Sequence, residues 1–113
     1  MMRRVPKPWG EEIIFAHTEH YAGKILLIRK GESLSLQYHE RKDETIYLHA
    51  GSIRLIRDLD GRMQEEILSP GEARHFPPGA RHQMMALEDS TLFEVSTPEL
   101  DDVVRLADRY GRI

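Results

Sequence analysis

Short runs of alternating apolar and polar residues, separated by turn sequences, occupy most of the chain. Strand side chains point alternately to the two faces of a sheet, so a period of two is typical of half-buried β-strands. The pattern predicts strands at residues 11–15, 24–29, 33–39, 45–50, 53–57, 63–68, 73–76, 81–87 and 91–96. Between two of them, Asp60-Gly61 suits a tight hairpin turn. So many short strands in a small chain indicate an all-β fold, an antiparallel sandwich or barrel.

The segment 97–106 has a different period. Its apolar residues fall near one face of a helix, at Leu100, Val103, Val104 and Leu106. Thr97 is a suitable N-cap, and Pro98 would occupy the first turn. The pattern predicts a short C-terminal helix.

The predicted strand 33–39 has two unlike faces. One carries Ser33, Ser35, Gln37 and His39, and the other carries Leu34, Leu36 and Tyr38. The apolar face needs cover, so we expect either a second subunit, as in a homodimer, or the chain termini to lie on it. The alternative is a few exposed leucines. Two further sets would point into a barrel: Glu44, Ile46, Leu48 and Ala50, and His82, Met84 and Ala86.

The composition narrows the class of protein. A length of 113 residues fits one domain, 1–113. The chain has no cysteine, which excludes disulfides and thiolate sites and favours a cytoplasmic location. The net charge is −3, with no basic stripe for a nucleic acid partner. No apolar run is long enough for a membrane span, and the first residues do not resemble a signal peptide.

Four side chains could hold a metal ion. Gln37 and His39 are two apart and share a strand face, and Glu44 follows closely. His82, at the start of a later strand, is the best fourth ligand. Imidazole, carboxylate and amide donors suit a divalent ion such as zinc, manganese, nickel, cobalt or iron. The other histidines, His17, His20, His49 and His75, are expected to have structural or solvated roles.

The spacing of these residues resembles the two motifs of the cupin superfamily. The first motif is matched by Gly31, Gln37, His39, Glu44 and Gly51. The second is matched by Gly71, Pro77, Gly79 and His82, with Ala86 where an asparagine is usual. The resemblance implies the cupin double-stranded β-helix, a jelly-roll barrel with the metal site inside it.

A narrower resemblance covers the whole chain. KPWG at 7–10, the stretch KGESLSLQYH and the stretch LDDVVRLADRYGR are similar to the C-terminal isomerase domain of type II mannose-6-phosphate isomerases. This resemblance implies a stand-alone small cupin in which Gln37 is an expected metal ligand. It also implies that Lys24 and Arg112 lie near the phosphate of a sugar phosphate. Three features depart from the family pattern, namely Ile25, Thr45-Ile46 and Gln83.

The leading hypothesis is therefore metal-dependent aldose–ketose isomerisation. Lys24 is the candidate proton shuttle, provided that burial and the cation favour its neutral form. Arg112 is the candidate anion-binding residue, and the alternative for both is a solvated surface charge. A non-catalytic cupin that binds a sugar or another small molecule is the second hypothesis, favoured by the missing basic residue at Ile25. A metal-dependent oxygenase is less favoured, because Gln37 replaces a histidine. Trp9 and Tyr110 either line the pocket or pack the termini.

Overall fold

The alternating pattern produces two packed antiparallel sheets. The computed structural model describes residues 2–113, and its strands are β1 (Arg3–Lys7), β2 (Gly10–His17), β3 (Ala22–Ile28), β4 (Leu36–Tyr38), β5 (Glu44–Ala50), β6 (Ile53–Leu59), β7 (Arg62–Leu68), β8 (Ala73–Phe76), β9 (His82–Ala86), β10 (Ser90–Ser96) and β11 (Val104–Ala107). One sheet has the order β1-β2-β3-β10-β5-β8, and the other has the order β11-β4-β9-β6-β7. The predicted all-β class is confirmed.

The core lies between the sheets. Ile46, Leu48, Ile53, Leu55, Leu68 and Leu92 are fully buried in it. Ile46 and Leu48 share the inward face of β5 with Glu44, as predicted. Ala50, which was predicted to share that face, is exposed. The reason is a bulge: Leu92 pairs with Leu48 and Thr91 pairs with Ala50, so the alternation slips by one residue between them.

The predicted C-terminal helix is wrong. Residues 104–107 form β11, which pairs with β4 at the edge of the five-stranded sheet. A short isolated helix is marginal in water, whereas the unpaired edge of β4 offers backbone hydrogen-bond partners. Nothing in residues 2–113 adopts an α-helix. Accordingly, the described part of the chain holds no helix with the length and apolar character needed to cross a membrane.

The predicted strand 33–39 is shorter than expected. Regular pairing covers only Leu36–Tyr38, and Ser33, Leu34 and Ser35 are all buried before it. Leu34 therefore belongs to the core and not to an outer face. The C-terminal strand pairs with the edge of β4, and cover of the Leu36 and Tyr38 face by a second subunit or a chain terminus stays a prediction.

Gly51, which closes the first motif, occupies a place that a larger residue would not fit. Its φ is 102°, in a region that favours glycine. A Cβ there would lie 2.3 Å from Ser90 Oγ and 2.6 Å from the carbonyl oxygen of Asp89. This close approach joins the end of β5 to the start of β10.

Candidate metal centre

Three buried side chains from both sheets meet inside the barrel. His39 follows β4, Glu44 begins β5 and His82 begins β9, and each is 3% exposed or less. His39 Nε2 lies 2.7 Å from Glu44 Oε1, and His82 Nε2 lies 3.3 Å from the same oxygen. Potential ligand atoms of the three residues all lie within 4.8 Å of one another. We call these residues the His–Glu–His cluster.

Backbone carbonyls orient both imidazoles. His39 Nδ1 donates a hydrogen bond to the Asp102 carbonyl at 2.6 Å, and His82 Nδ1 donates to the Ala80 carbonyl at 3.0 Å. Because a carbonyl can only accept, Nδ1 carries a proton in both rings, and Nε2 is the nitrogen that faces Glu44. The Phe76 ring stacks on His82 with centroids 4.0 Å apart, which fixes the plane of that imidazole. The Nε2 atoms of both histidines therefore face Glu44 Oε1.

The donor set fits a divalent cation. Two imidazole nitrogens and a carboxylate oxygen converge, each from a residue that is 3% exposed or less, and these are ligands that borderline divalent metals accept. Gln37, the fourth predicted ligand, stands directly opposite His82 on the neighbouring strand. Its side-chain oxygen accepts a hydrogen bond from Ser35 Oγ at 2.7 Å. The structure therefore brings three predicted ligands into one cluster and places Gln37 beside them.

The sequence analysis missed Lys42, a buried lysine that contacts the second carboxylate oxygen of Glu44. Lys42 Nζ lies 3.3 Å from Glu44 Oε2 and 2.9 Å from Glu94 Oε2. Burial alone would lower the pKa of Lys42, but the charges of Glu94 and Glu44 outweigh it and raise that pKa. Burial opposes ionisation of Glu44, yet hydrogen bonds from His39 and His82 and the charge of Lys42 hold its pKa well below the usual value. Glu44 is therefore kept as a carboxylate.

Glu94 links this pair to Lys24. Burial first, and the nearby Glu44 second, raise the pKa of Glu94 to about 7. Lys24 Nζ lies 3.9 Å from Glu94 Oε2 and 2.7 Å from Glu12 Oε1. Lys24 is only 4% exposed, so the solvated-surface alternative for it is wrong. The sequence did contain a signal for Glu94. It is a charged residue at an inward-facing position of β10.

A cavity of about 150 Å³ adjoins the cluster and is lined by His39, but not by Glu44 or His82. Trp9, Leu26 and Leu34 contribute apolar surface to it. Its cationic lining residues are Arg3, Lys7, Lys24, Lys42, Arg105 and Arg112. Trp9 both lines the cavity and packs in the core, whereas Tyr110 packs against the core and its hydroxyl donates to Glu32. Arg112 is half-buried and forms an ion pair with Asp108 at 2.8 Å.

The other four histidines lie outside the cluster. His17, His20, His49 and His75 are exposed. His75 pairs with Asp43 at 2.6 Å, and His17 contacts the Pro98 carbonyl at 3.0 Å. Within residues 2–113, His39, Glu44 and His82 form the one group of at least three such side chains that is close enough to hold an ion.

Comparison with known proteins agrees with this geometry. The family model described as "Cupin domain" matches residues 24–95. The mannose-1-phosphate guanylyltransferase ManC of Salmonella typhimurium is 36% identical over 121 residues, which is 100% of this chain and 24% of that protein. A mannose-1-phosphate guanylyltransferase of Escherichia coli K12 is 35% identical, over 98% of this chain and 23% of that protein. The chain thus spans about a quarter of the length of these curated relatives.

Solved structures of related shape include KdgF from Halomonas sp., with a TM-score of 0.71 and 28% identity. That match covers 89% of this chain and 88% of KdgF. Oxalate decarboxylase from Bacillus subtilis has a TM-score of 0.79 and 21% identity, over 93% of this chain and 30% of that chain. At 21% identity, the similarity to oxalate decarboxylase is evidence for a shared fold.

Proposed function

Because this chain belongs to the cupin family, whose domain model matches residues 24–95, we propose that its buried His–Glu–His cluster binds a divalent metal ion. We further propose that the protein acts on a sugar phosphate, and that it interconverts an aldose phosphate and a ketose phosphate. The observation that carries the proposal is the convergence of His39 Nε2 and His82 Nε2 on Glu44, next to a cavity lined by six cationic and four acidic side chains.

Two likenesses support the substrate class. Relatives that match nearly all of this chain are named for mannose 1-phosphate, a phosphorylated sugar. The stretches KGESLSLQYH and LDDVVRLADRYGR resemble the isomerase domain of type II mannose-6-phosphate isomerases. Mannose 6-phosphate is therefore the first substrate to test.

His39, Glu44, His82 and Gln37 would hold the ion. A divalent cation held there would supply Lewis acidity, which would polarise carbonyl and hydroxyl oxygens and stabilise negative charge as a proton moves between C1 and C2. The Nδ1–H bonds to the carbonyls of Asp102 and Ala80 keep both imidazoles in the orientation for binding.

Lys24 and Arg112 are proposed to contact the substrate. Lys24 Nζ lies 2.7 Å from Glu12 Oε1 and 3.9 Å from Glu94 Oε2, at the wall of the cavity. We assign Lys24 as a donor to a sugar oxygen, and the proton shuttle expected from the sequence stays a prediction. Arg112 uses Nε and Nη2 on Asp108, which leaves further N–H donors for the substrate.

A non-catalytic cupin that binds the same class of ligand is the second candidate. One observation favours it: both buried lysines of the cavity are neutralised by carboxylates, Lys42 by Glu44 and Glu94, and Lys24 by Glu12. In that case a sugar phosphate would stabilise the protein against heat without being converted.

The test is the interconversion of mannose 6-phosphate and fructose 6-phosphate by protein reloaded with zinc, manganese, cobalt, nickel or iron. We expect turnover that requires metal, is abolished in His82→Ala and persists in His75→Ala, which changes an exposed histidine outside the cluster. Absence of turnover with every metal, in protein shown to hold about one ion per chain, would reject the isomerase. Thermal stabilisation by mannose 6-phosphate under those conditions would support the second candidate.

A further inference from the structure

Arg105 lies in the same cross-strand row as two of the candidate metal ligands. On β11 it stands directly opposite Gln37 of β4, and Gln37 stands opposite His82 of β9. Directly opposed residues of an antiparallel pair point to the same face of the sheet. The Arg105 side chain therefore points into the barrel, and it lines the same cavity as Gln37 and His39.

Within residues 2–113, Arg105 forms no ion pair with a carboxylate. Four of the six cationic side chains around the cavity have a carboxylate partner: Lys7 and Lys24 pair with Glu12, Lys42 pairs with Glu44 and Glu94, and Arg112 pairs with Asp108. Across residues 2–113, Arg3 and Arg105 have no carboxylate oxygen within 4.0 Å. Arg3 is exposed to water, whereas Arg105 is partly buried and its Nε is buried without a hydrogen-bond partner.

Two acidic groups of the adjoining segments, Asp102 and Asp108, are engaged elsewhere. The Asp102 carboxylate accepts hydrogen bonds from the backbone N–H groups of Glu40, Arg41 and Lys42. Both oxygens of Asp108 bind Arg112. A buried N–H without a partner is rare and costs free energy, especially on a charged group. Arg105 is thus a guanidinium that lines the cavity without a carboxylate partner, and its buried Nε has no hydrogen-bond partner.

We propose that Arg105 binds the phosphoryl group of the substrate, an inference that rests on the function proposed above. A guanidinium presents a fork of donors that matches phosphate oxygens. With strands about 4.8 Å apart, the Arg105 backbone lies two strands, roughly 10 Å, from that of His82. A phosphate held by Arg105 would leave the His–Glu–His cluster free, and the opposite end of the sugar would reach it.

Isothermal titration of metal-loaded protein with mannose 6-phosphate, inorganic phosphate and mannose tests this role. Arg105→Gln should weaken mannose 6-phosphate and inorganic phosphate binding by at least about tenfold, the size of a lost charged hydrogen bond, and leave mannose binding unchanged. Arg105→Lys, which keeps the charge and loses the fork, should be intermediate. Arg54→Gln is the matched control, because Arg54 pairs with Glu65 on the exposed side of the same sheet.

The outcomes separate this inference from the proposed isomerase. Isomerisation by the wild type, with unchanged KM and phosphate affinity in Arg105→Gln and Arg105→Lys, would overturn the role of Arg105 and keep the isomerase. Phosphate binding that depends on Arg105, without isomerisation, would keep the anion site and reject the isomerase. Wild-type protein that binds neither phosphate nor mannose 6-phosphate overturns the anion site as well. If Arg105→Gln does not fold, the same measurements on Arg105→Lys test the role of Arg105.

Discussion

Lys42 connects the His–Glu–His cluster to the rest of the cavity. Its ammonium contacts Glu44 on one side and Glu94 on the other, and its side chain is only 5% exposed. Two carboxylates in a buried site repel each other unless a cation stands between them. Lys42 therefore keeps Glu44 ionised and in place for a metal, although it is not itself a ligand.

Replacing Lys42 by methionine should destabilise the protein strongly. The change leaves buried carboxylate charge without its main partner, which typically costs about 3 kcal/mol or more. Urea denaturation in the presence of a chelator measures the loss. Lys30→Met is the matched control: Lys30 and Glu88 are both more than 60% exposed, so a loss below about 1 kcal/mol is expected there.

The same measurement on Glu94→Gln and on the double variant tests the coupling between Lys42 and Glu94. We expect the double variant to lose less free energy of unfolding than the sum of the single variants, because the two side chains interact directly. An effect of Lys42→Met as small as that of Lys30→Met would contradict this role for Lys42.

At the scale of elements, β11 is the strand that completes the cavity wall. It carries Arg105, and the turn after it is held by Asp108, which accepts hydrogen bonds from the Arg112 backbone N–H, Nε and Nη2 at 2.8, 2.9 and 2.8 Å. The Asp108 side chain has no exposed surface. This arrangement fixes the C-terminal end of the chain next to β4 and positions Arg112 at the cavity.

The Asp108–Arg112 contact should make stability depend on pH in the acid range. Hydrogen bonds from Arg112 lower the pKa of Asp108 from 3.8 to about 2. A lowered pKa means that the contact stabilises the folded state fully above pH 3.8, and that the contribution is lost as pH falls through about 2. The free energy of unfolding should therefore differ between wild type and Asp108→Asn by a constant amount above about pH 5, and this difference should shrink towards pH 2.

Arg112→Gln is the informative control, because it keeps the Asp108 carboxyl and removes the partner that lowers its pKa. In that background, Asp108→Asn should change stability far less at neutral pH. A difference between wild type and Asp108→Asn that stays constant from neutral pH down to pH 2 would show that the carboxylate charge does not stabilise the end of the chain.

For the whole molecule, the His–Glu–His cluster is a link between the two sheets. Glu44 belongs to the six-stranded sheet, whereas His82 belongs to the five-stranded sheet. An ion held by both would bind the folded protein and not the unfolded chain, so its binding free energy adds to global stability.

Adding a divalent ion should raise the melting temperature measured by calorimetry. The gain in free energy is about 2.7 kcal/mol at a free ion concentration of one hundred times Kd. Glu44→Gln should abolish the shift, and Glu65→Gln, which changes an exposed glutamate paired with Arg54, should retain it. A shift of equal size in Glu44→Gln would place the ion elsewhere. The homodimer stays a prediction, which light scattering in solution can test.

Local patterns in the sequence were enough to predict much of the fold and part of the candidate site. The period of two and the turn sequences predicted the all-β class, and the Asp60-Gly61 hairpin joins β6 and β7 as expected. The spacing of His39, Glu44 and His82 indicated a metal site, and the structure brings these three together. Such signals are local or follow from strand alternation, so they can be read from the sequence alone.

Tertiary structure alone decided the remaining features. Residues 104–107 have a locally helical pattern, but the free edge of β4 makes them a strand, and only that pairing aims Arg105 into the cavity. Lys42 and Glu94 lie far apart in sequence and meet inside the barrel. The sequence by itself thus determined the class of fold and indicated the three residues that meet in the His–Glu–His cluster. Which charged side chains line the cavity depended on which distant strands pair and in what register. Pairing across the sheets, and not adjacency along the chain, decides which inward-facing side chains become neighbours.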